Sequence, residues 1–257
     1  MMTNKKELLN AWLAEERCAH IRGWDFSHIA DRYREEDDLP WSYRDKVLGR
    51  LTPETRLLDI DTGGGEFLLS LGHPCRLLSA MEGYPPNAAL CWEKLTPLGV
   101  DFRSGSGDDA RYPFADQAFD LVLNRHGGFC VDEIRRVLKP GGVFLTQQVG
   151  AENDRELTEL LLGLVPEPFP GQRLALVRER FEAAGFDICE AREAFRTICF
   201  RDVGALVWFA RVIPWEFPGF CVRDCLENLY RAQQVLERDG VIRGRTHRFF
   251  LEVRKRA

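Results

Sequence analysis

A chain of 257 residues with 45% hydrophobic residues is long enough to bury most of its apolar surface in one or two domains, which excludes a disulfide-held peptide. Its 35 Lys+Arg against 40 Asp+Glu give a net charge of −5, so it lacks the basic field that broad nucleic-acid binding requires. The eight cysteines include no C-x-x-C pair, which fits neither a zinc ribbon nor a thioredoxin motif, and reduced, mostly buried thiols are expected.

No apolar run approaches the roughly 18 residues that a membrane helix needs, and the polar start Met1 to Glu7 lacks a secretory pattern. A soluble, cytoplasmic protein without a membrane partner is therefore expected. From Met1 to Leu51 the aromatic residues Trp12, Trp24, Phe26, Tyr33, Trp41 and Tyr43 accompany helical patterning, with Asp38-Leu39-Pro40 as a helix start. This stretch is expected to be helical and to lie outside any sheet. From Arg56 to Val149 short β-rich runs alternate with helical patterns. The expected strands are Arg56 to Ile60, Arg76 to Met81, Val100 to Ser104, Ala118 to Leu123 and Val143 to Val149. Their spacing of about twenty residues suits helical crossovers between parallel strands, hence a doubly wound α/β core. Val131 to Leu138 reads as a helix that Lys139-Pro140-Gly141-Gly142 stops.

Arg173 to Ala184 is a further expected helix, Phe186 to Phe200 a strand region and His247 to Val253 a final strand. Arg201 to Arg245 is too long for a turn and carries Trp208, Phe209, Trp215, Phe217 and Phe220, the composition of a substrate lid or of extra core. The expected organisation is thus 1–51 as a helical lid segment, 52–200 as the core, 201–245 as a helical cap and 246–257 as the last strand.

Chemistry concentrates where Leu57-Leu58-Asp59-Ile60 runs into Asp61-Thr62-Gly63-Gly64-Gly65-Glu66 and then a helical Phe67, Leu68, Leu69, Leu71 pattern. An apolar strand, a glycine turn and a helix form the place where open α/β sheets bind ligands. A dinucleotide fingerprint fits poorly, because Leu68 stands at its third glycine and Asp59, Asp61 and Glu66 would face the phosphates. A cofactor bearing a sulfonium and an ammonium suits these carboxylates.

The motifs recur in order: Asp59 to Glu66, Met81-Glu82-Gly83-Tyr84, Gly107-Asp108-Asp109, Tyr112-Pro113-Phe114 with Phe119-Asp120-Leu121-Val122, Asn124-Arg125-His126 and Ile134 to Gly142. This ordered set resembles the class I S-adenosylmethionine (SAM)-dependent methyltransferases, of the type 11 or UbiE-like small-molecule type. The resemblance spans Leu57 to Val149 and implies a Rossmann-like, mostly parallel seven-stranded sheet with helical lid segments. It implies S-adenosyl-L-methionine as cofactor, leaving as S-adenosyl-L-homocysteine. Asp59, Asp61, Thr62, Gly63 and Gly65 would border its methionine and ribose parts, and Glu82 would accept from both ribose hydroxyls. Gly83 and Tyr84 would flank the adenine, Asp108 would take its amino group and the Asp109 N–H a ring nitrogen. Asn124, Arg125 and His126 would line the methyl-donor end. The family's usual first glycine is Asp61 in this chain, which either meets the SAM ammonium or weakens binding.

Displacement at a preactivated sulfonium calls for no metal, but a hydroxyl or carbon acid needs a base. Among His20, His28, His73, His126 and His247, His126 is placed first and His28, in an aromatic segment, second. Trp208, Phe209, Trp215 and Phe217 suggest an apolar pocket for a small aromatic or lipophilic methyl acceptor. Two other readings remain at this stage. The basic residues Arg243 to Arg256 permit a nucleic-acid methyltransferase, although the Asn-Pro-Pro-aromatic motif is absent after the fourth strand; and Asp61 permits a SAM-binding protein without turnover.

Overall fold

The computed structural model describes residues 5–21 and 25–256. In chain order its main elements are α1 (Lys5–Cys18), β1 (Tyr33–Glu35), α2 (Tyr43–Leu48), β2 (Leu57–Ile60), α3 (Glu66–Ser70), β3 (Leu78–Glu82), α4 (Pro85–Lys94) and β4 (Asp101–Ser104). They continue with β5 (Phe119–Arg125), α5 (Val131–Val137), β6 (Leu138–Val149), α6 (Arg155–Leu162), α7 (Leu174–Ala183), β7 (Phe186–Phe200), α8 (Val203–Val212), α9 (Leu226–Asp239) and β8 (Ile242–Lys255). The chain forms two compact units. One comprises Met1–Leu39, Ala151–Pro170 and Phe195–His247, the other Pro40–Gly150, Gly171–Ala194 and Arg248–Ala257. These units exchange the chain near residues 39, 150, 170, 194 and 247.

In the larger unit, β2 pairs in parallel with both β3 and β5, β3 with β4, and β5 with β6, while β8 closes on β6 antiparallel. Every residue of β2 and β3 is buried, as a parallel strand covered on both faces must be, which is why both are mostly apolar and why the polar exceptions Asp59, Ser79 and Glu82 stand out. The strand order is β1-β7-β8-β6-β5-β2-β3-β4. Successive connections from β2 step outward through β3 and β4, and the chain then returns to β5 on the other side. The carboxyl end of β2 is therefore the topological switch point, where such sheets leave a crevice.

Four expectations change. Among the described residues the sheet has eight strands rather than seven, because Tyr33–Glu35, expected in a wholly helical segment, forms β1 and pairs with Ile198–Phe200. Helix α2 starts at Tyr43 rather than after Leu39, because the Ser42 hydroxyl accepts from the Asp45 N–H at 3.2 Å and caps it. Ser42→Ala should cost about 1 kcal/mol of stability, read as a lower urea midpoint at constant slope. Leu138 already pairs with Phe119, so Lys139-Pro140-Gly141-Gly142 is an irregular start of β6 and not a separate turn. Of the eight cysteines only Cys91 and Cys225 are buried and none is bridged, so the mostly buried thiols expected from composition are not found.

The smaller unit has its own core. Helix α8 buries nearly every residue, including Trp208 and Phe209, as an all-apolar helix must. Around it pack Trp12 of α1, Leu157 and Leu161 of α6, Leu229 of α9, and Phe217 and Phe220. Trp208, Phe209 and Phe217 are thus core, and only Trp215 of the four expected pocket aromatics is exposed. Stacked, tilted and edge contacts among Phe26, Tyr33, Phe200 and Phe209 consume faces that a ligand would need. The expected lid residue Trp24 lies outside the described residues.

Candidate functional site

The turn after β2 is built from left-handed backbone: Asp61 has φ 53°, Gly63 64° and Gly65 75°. At Gly65 a β-carbon would also come within 2.7 Å of the Leu95 side chain, so only glycine satisfies both backbone and packing. Asp61 adopts this conformation without that freedom, at a cost of order 1 kcal/mol. The Thr62 hydroxyl donates to Asp59 Oδ2 at 2.7 Å, and the Thr62 N–H to the Met81 carbonyl at 3.1 Å. Burial pushes the Asp59 carboxyl up to about 7, against the pull of Thr62 and Arg125. Asp59 and Thr62 thus lock the turn to the sheet.

Glu82, buried at the end of β3, organises the crevice. Its Oε2 accepts from the Gly63 N–H and its Oε1 from the Tyr84 N–H, both at 2.8 Å. A carboxylate has further lone pairs on each oxygen, so these two bonds leave capacity for a pair of hydroxyls. Glu82 also lines a cavity of about 610 Å³ with Gly83, Ala88, Trp92, Ser106 and Asp109 among its walls. Tyr84 itself is 62% exposed and enters the crevice through its backbone.

The loop after β4 packs against this arrangement. Asp61 Oδ1 accepts from the Gly107 N–H at 3.0 Å, and a β-carbon on Gly107 would meet the Gly128 carbonyl at 1.9 Å. Only glycine lets these strands of backbone approach so closely. Burial pushes the Asp61 carboxyl up to about 6, the Gly107 bond opposes this, and Glu82, Asp108 and Asp109 add to it by like charge. The Asp109 N–H is spent on the Ser106 carbonyl at 3.0 Å, which removes the donor expected for an adenine nitrogen. Its side chain takes the Ser106 N–H at 2.8 Å instead. Asp108 is exposed, with its carboxylate beside Gly128.

Of the three residues expected at the methyl-donor end, Asn124 is fully buried and fully engaged. Its amide donates to the Ile60 and Gly128 carbonyls at 3.2 and 3.1 Å and accepts from Gln148 Nε2 at 2.5 Å. It shapes the crevice and offers a ligand no free atom. Arg125 lays its guanidinium over the Phe67 ring at 4.8 Å. His126 has φ 61°, its N–H donates to the Gln147 carbonyl at 2.9 Å, and its Nε2 lies 3.1 Å from Gln147 Nε2. The surrounding protein, and then the charges of Arg248 and Arg125, push its pKa down. The residue is nonetheless exposed, so its ring keeps much of its water, and the two arginine charges still favour the neutral ring.

His28 belongs to the smaller unit, where its Nε2 meets Glu15 Oε2 at 2.8 Å and its ring stacks on Trp208. Arg32 holds the other oxygen of Glu15 at 2.7 Å. Glu15, Cys18 and His28 place three metal-type donor atoms within 4.8 Å of one another, but the Glu15 carboxylate is already matched by Arg32. These contacts hold the His28 ring against α1 and α8 in the smaller unit.

Several cavity residues were absent from the sequence expectations. Pro85, Ala88, Ala89 and Trp92 line it at helical spacing i, i+3, i+4, i+7, one face of α4. Trp92 stands edge-on to Phe102 at 5.0 Å. Cys91 donates to the Gly63 carbonyl at 3.0 Å and ties α4 to the glycine turn.

Residues 58–146 match the model of the methyltransferase domain. Among curated relatives, a demethylmenaquinone methyltransferase of Thermus thermophilus is 32% identical over 46% of this chain and 60% of its own length. A probable phthiotriol/phenolphthiotriol dimycocerosates methyltransferase of Mycobacterium ulcerans is 32% identical over 35% of this chain and 37% of its own length. The chain thus spans between about a third and three fifths of these relatives. Among solved structures, the YcgJ protein of Bacillus subtilis matches with TM-score 0.54 and 17% identity, covering 84% of this chain and 98% of that one. The [4+2]-cyclase SpnF matches with TM-score 0.50 and 19% identity over 88% of each chain. The shared fold therefore does not by itself dictate the chemistry.

Proposed function

We propose, from the premise that residues 58–146 are a class I methyltransferase domain, that the chain binds SAM and transfers its methyl group to a small, apolar or aromatic molecule. The observation that carries this reading is Glu82: a buried carboxylate at the switch point, holding the glycine turn with one oxygen and the start of α4 with the other, in the wall of a nucleoside-sized cavity. Glu82 would take the ribose hydroxyls, and the α4 face through Trp92 would border the adenine together with Ser106 and Asp109. Asp61 and the turn Thr62 to Gly65 would face the amino-acid end. When bound, SAM supplies a methyl group on a sulfonium, already activated for displacement.

The residues of the chain then have to orient two reactants and exclude water. Asp59 and Thr62 hold the turn, Asn124 and Gln148 hold the loop that follows β5, and Arg125 and His126 stand beyond it. The case for an apolar acceptor rests on the quinone and lipid substrates named for the relatives, because most of the aromatic residues once expected to form a pocket are core. That segments 1–51 and 201–245 act as lid and cap is likewise our proposal. It expects added hydrogen-exchange protection of Val203 to Phe220 when product and acceptor bind, and protection limited to Leu57 to His126 would overturn it.

Incubation of the protein with methyl-labelled SAM and a bacterial metabolite extract, read by mass spectrometry, tests the main reading. Label is expected in a small molecule. Label in added RNA would favour the nucleic-acid alternative, and calorimetric binding of SAM with no labelled product would favour a non-catalytic binding protein. The latter takes its support from Asp61 at a glycine position.

A further inference from the structure

Trp41 and Gln147 form a contact network in the larger unit that ends on His126. Trp41 Nε1 donates to Gln147 Oε1 at 2.8 Å, and an indole N–H can only donate. That contact fixes the orientation of the Gln147 amide, because the reversed amide would set two donors against each other. With Oε1 turned to Trp41, the Gln147 –NH2 faces His126 Nε2 at 3.1 Å. The imidazole nitrogen at that contact must accept. His126 Nε2 is therefore unprotonated and the ring proton sits on Nδ1.

Further contacts stiffen the arrangement. Trp41 is buried against Phe250 at 6.2 Å, and Tyr43 reaches the same ring from α2. The His126 backbone is bonded to the Gln147 carbonyl at 2.9 Å, so ring and main chain are both held by one residue of β6. The charged groups around the ring, Arg125 on β5 and Arg248 on β8, are both cations and both oppose a proton on it. Protonation would in addition turn Nε2 from acceptor to donor against the Gln147 amide.

We propose that Trp41 and Gln147 are positioning residues that hold His126 as the neutral Nδ1–H tautomer, so that it meets the methyl acceptor as a hydrogen-bond donor and not as a general base. This rests on the reading that His126 stands at the acceptor end. It narrows the acceptor to one that presents an oxygen or nitrogen lone pair to the ring and whose methylated atom loses its proton, if it has one, elsewhere.

The test is nitrogen-15 NMR of the histidine side chains of the full chain, with S-adenosyl-L-homocysteine affinity measured by calorimetry on the same samples. In the wild type His126 should show Nδ1 protonated and Nε2 bare by about fivefold, the bias that one hydrogen bond of about 1 kcal/mol supplies, with less protonation at pH 5.5 than an ordinary histidine. Gln147→Glu places a carboxylate oxygen opposite Nε2 and should move the proton to that nitrogen. Trp41→Phe frees the amide to turn and should give a mixture of tautomers. Both variants should bind the homocysteine product as the wild type does. An Nε2–H tautomer in the wild type, titration near the ordinary histidine value, or an unchanged tautomer in Gln147→Glu would each overturn the inference. Failure of the wild type to bind the product would instead overturn the cofactor reading, and the NMR result would stand independently of it.

Discussion

Glu82→Ala should lower the affinity for S-adenosyl-L-homocysteine by about a hundredfold or more. The carboxylate is buried and already accepts from the Gly63 and Tyr84 N–H groups. Proposed ribose contacts add two more bonds to a charged acceptor, each worth about 1.5–3 kcal/mol. Truncation removes these and also leaves two backbone donors unpaired, so the glycine turn and the start of α4 lose a common anchor. Two bonds at the lower figure already amount to about 3 kcal/mol, or two powers of ten. Glu82→Gln keeps the shape but sets an amide –NH2 against one of the two N–H donors, and should fall between the wild type and Glu82→Ala. Calorimetry measures both, with thermal unfolding as a check that the variants are folded. Wild-type affinity in a folded Glu82→Ala would remove Glu82 from the site and with it the observation on which the proposed function stands.

The parts of this arrangement that were legible in the sequence are those whose cause is local. β2 and β3 are mostly apolar because both faces are covered, and Glu82 is conspicuous as a carboxylate at the end of such a strand. The glycine turn announces itself because Gly63 and Gly65 occupy left-handed backbone. What stayed hidden depends on residues far apart in the chain. Asn124 looks like an exposed loop residue until Ile60, Gly128 and Gln148 surround its amide, and Trp41 reaches Gln147 across 106 positions. Strand β1 has three residues, too few for an alternation to register, and it is a strand only because Ile198 to Phe200 pair with it.

Aromatic composition misled for a different reason. Trp208, Phe209 and Phe217 look the same in sequence whether they line a pocket or fill a core, and the difference lies in the all-apolar surroundings of α8. Trp92 is the converse. It follows Pro85, Ala88 and Ala89 at helical spacing, so its place on one face of α4 could be read once the helix is set to begin at Pro85.

SAM affinity should rise about tenfold between pH 5 and pH 7 and level off above, with Asp61 the main cause. Its carboxyl is pushed up to about 6, by burial first and then by the like charges of Glu82, Asp108 and Asp109, so it passes from mostly protonated to mostly ionised across that window. If the ionised group meets the ammonium of SAM, binding follows its ionised fraction. The stability of the protein without ligand runs the other way. A carboxyl whose folded pKa is raised holds more protons folded than unfolded, so its contribution is present below the ordinary aspartate value and is lost as pH rises to about 6. Opposite slopes for ligand-free stability and for SAM affinity are therefore expected from one residue. Asp61→Asn should flatten the rise in affinity and weaken SAM by about tenfold, while a desamino analogue, lacking the ammonium, should lose much less. Asp59, pushed up to about 7, continues to titrate in that variant and accounts for the slope that remains. Asp61→Gly separates the two readings of this position: glycine relieves the left-handed backbone at φ 53° but gives up the Gly107 bond. Weaker SAM binding by Asp61→Gly supports a carboxylate that recognises the cation. Equal weakening of SAM and the desamino analogue in Asp61→Asn would mean that Asp61 only shapes the loop, and tighter SAM binding by Asp61→Gly would mean that the carboxylate weakens the site.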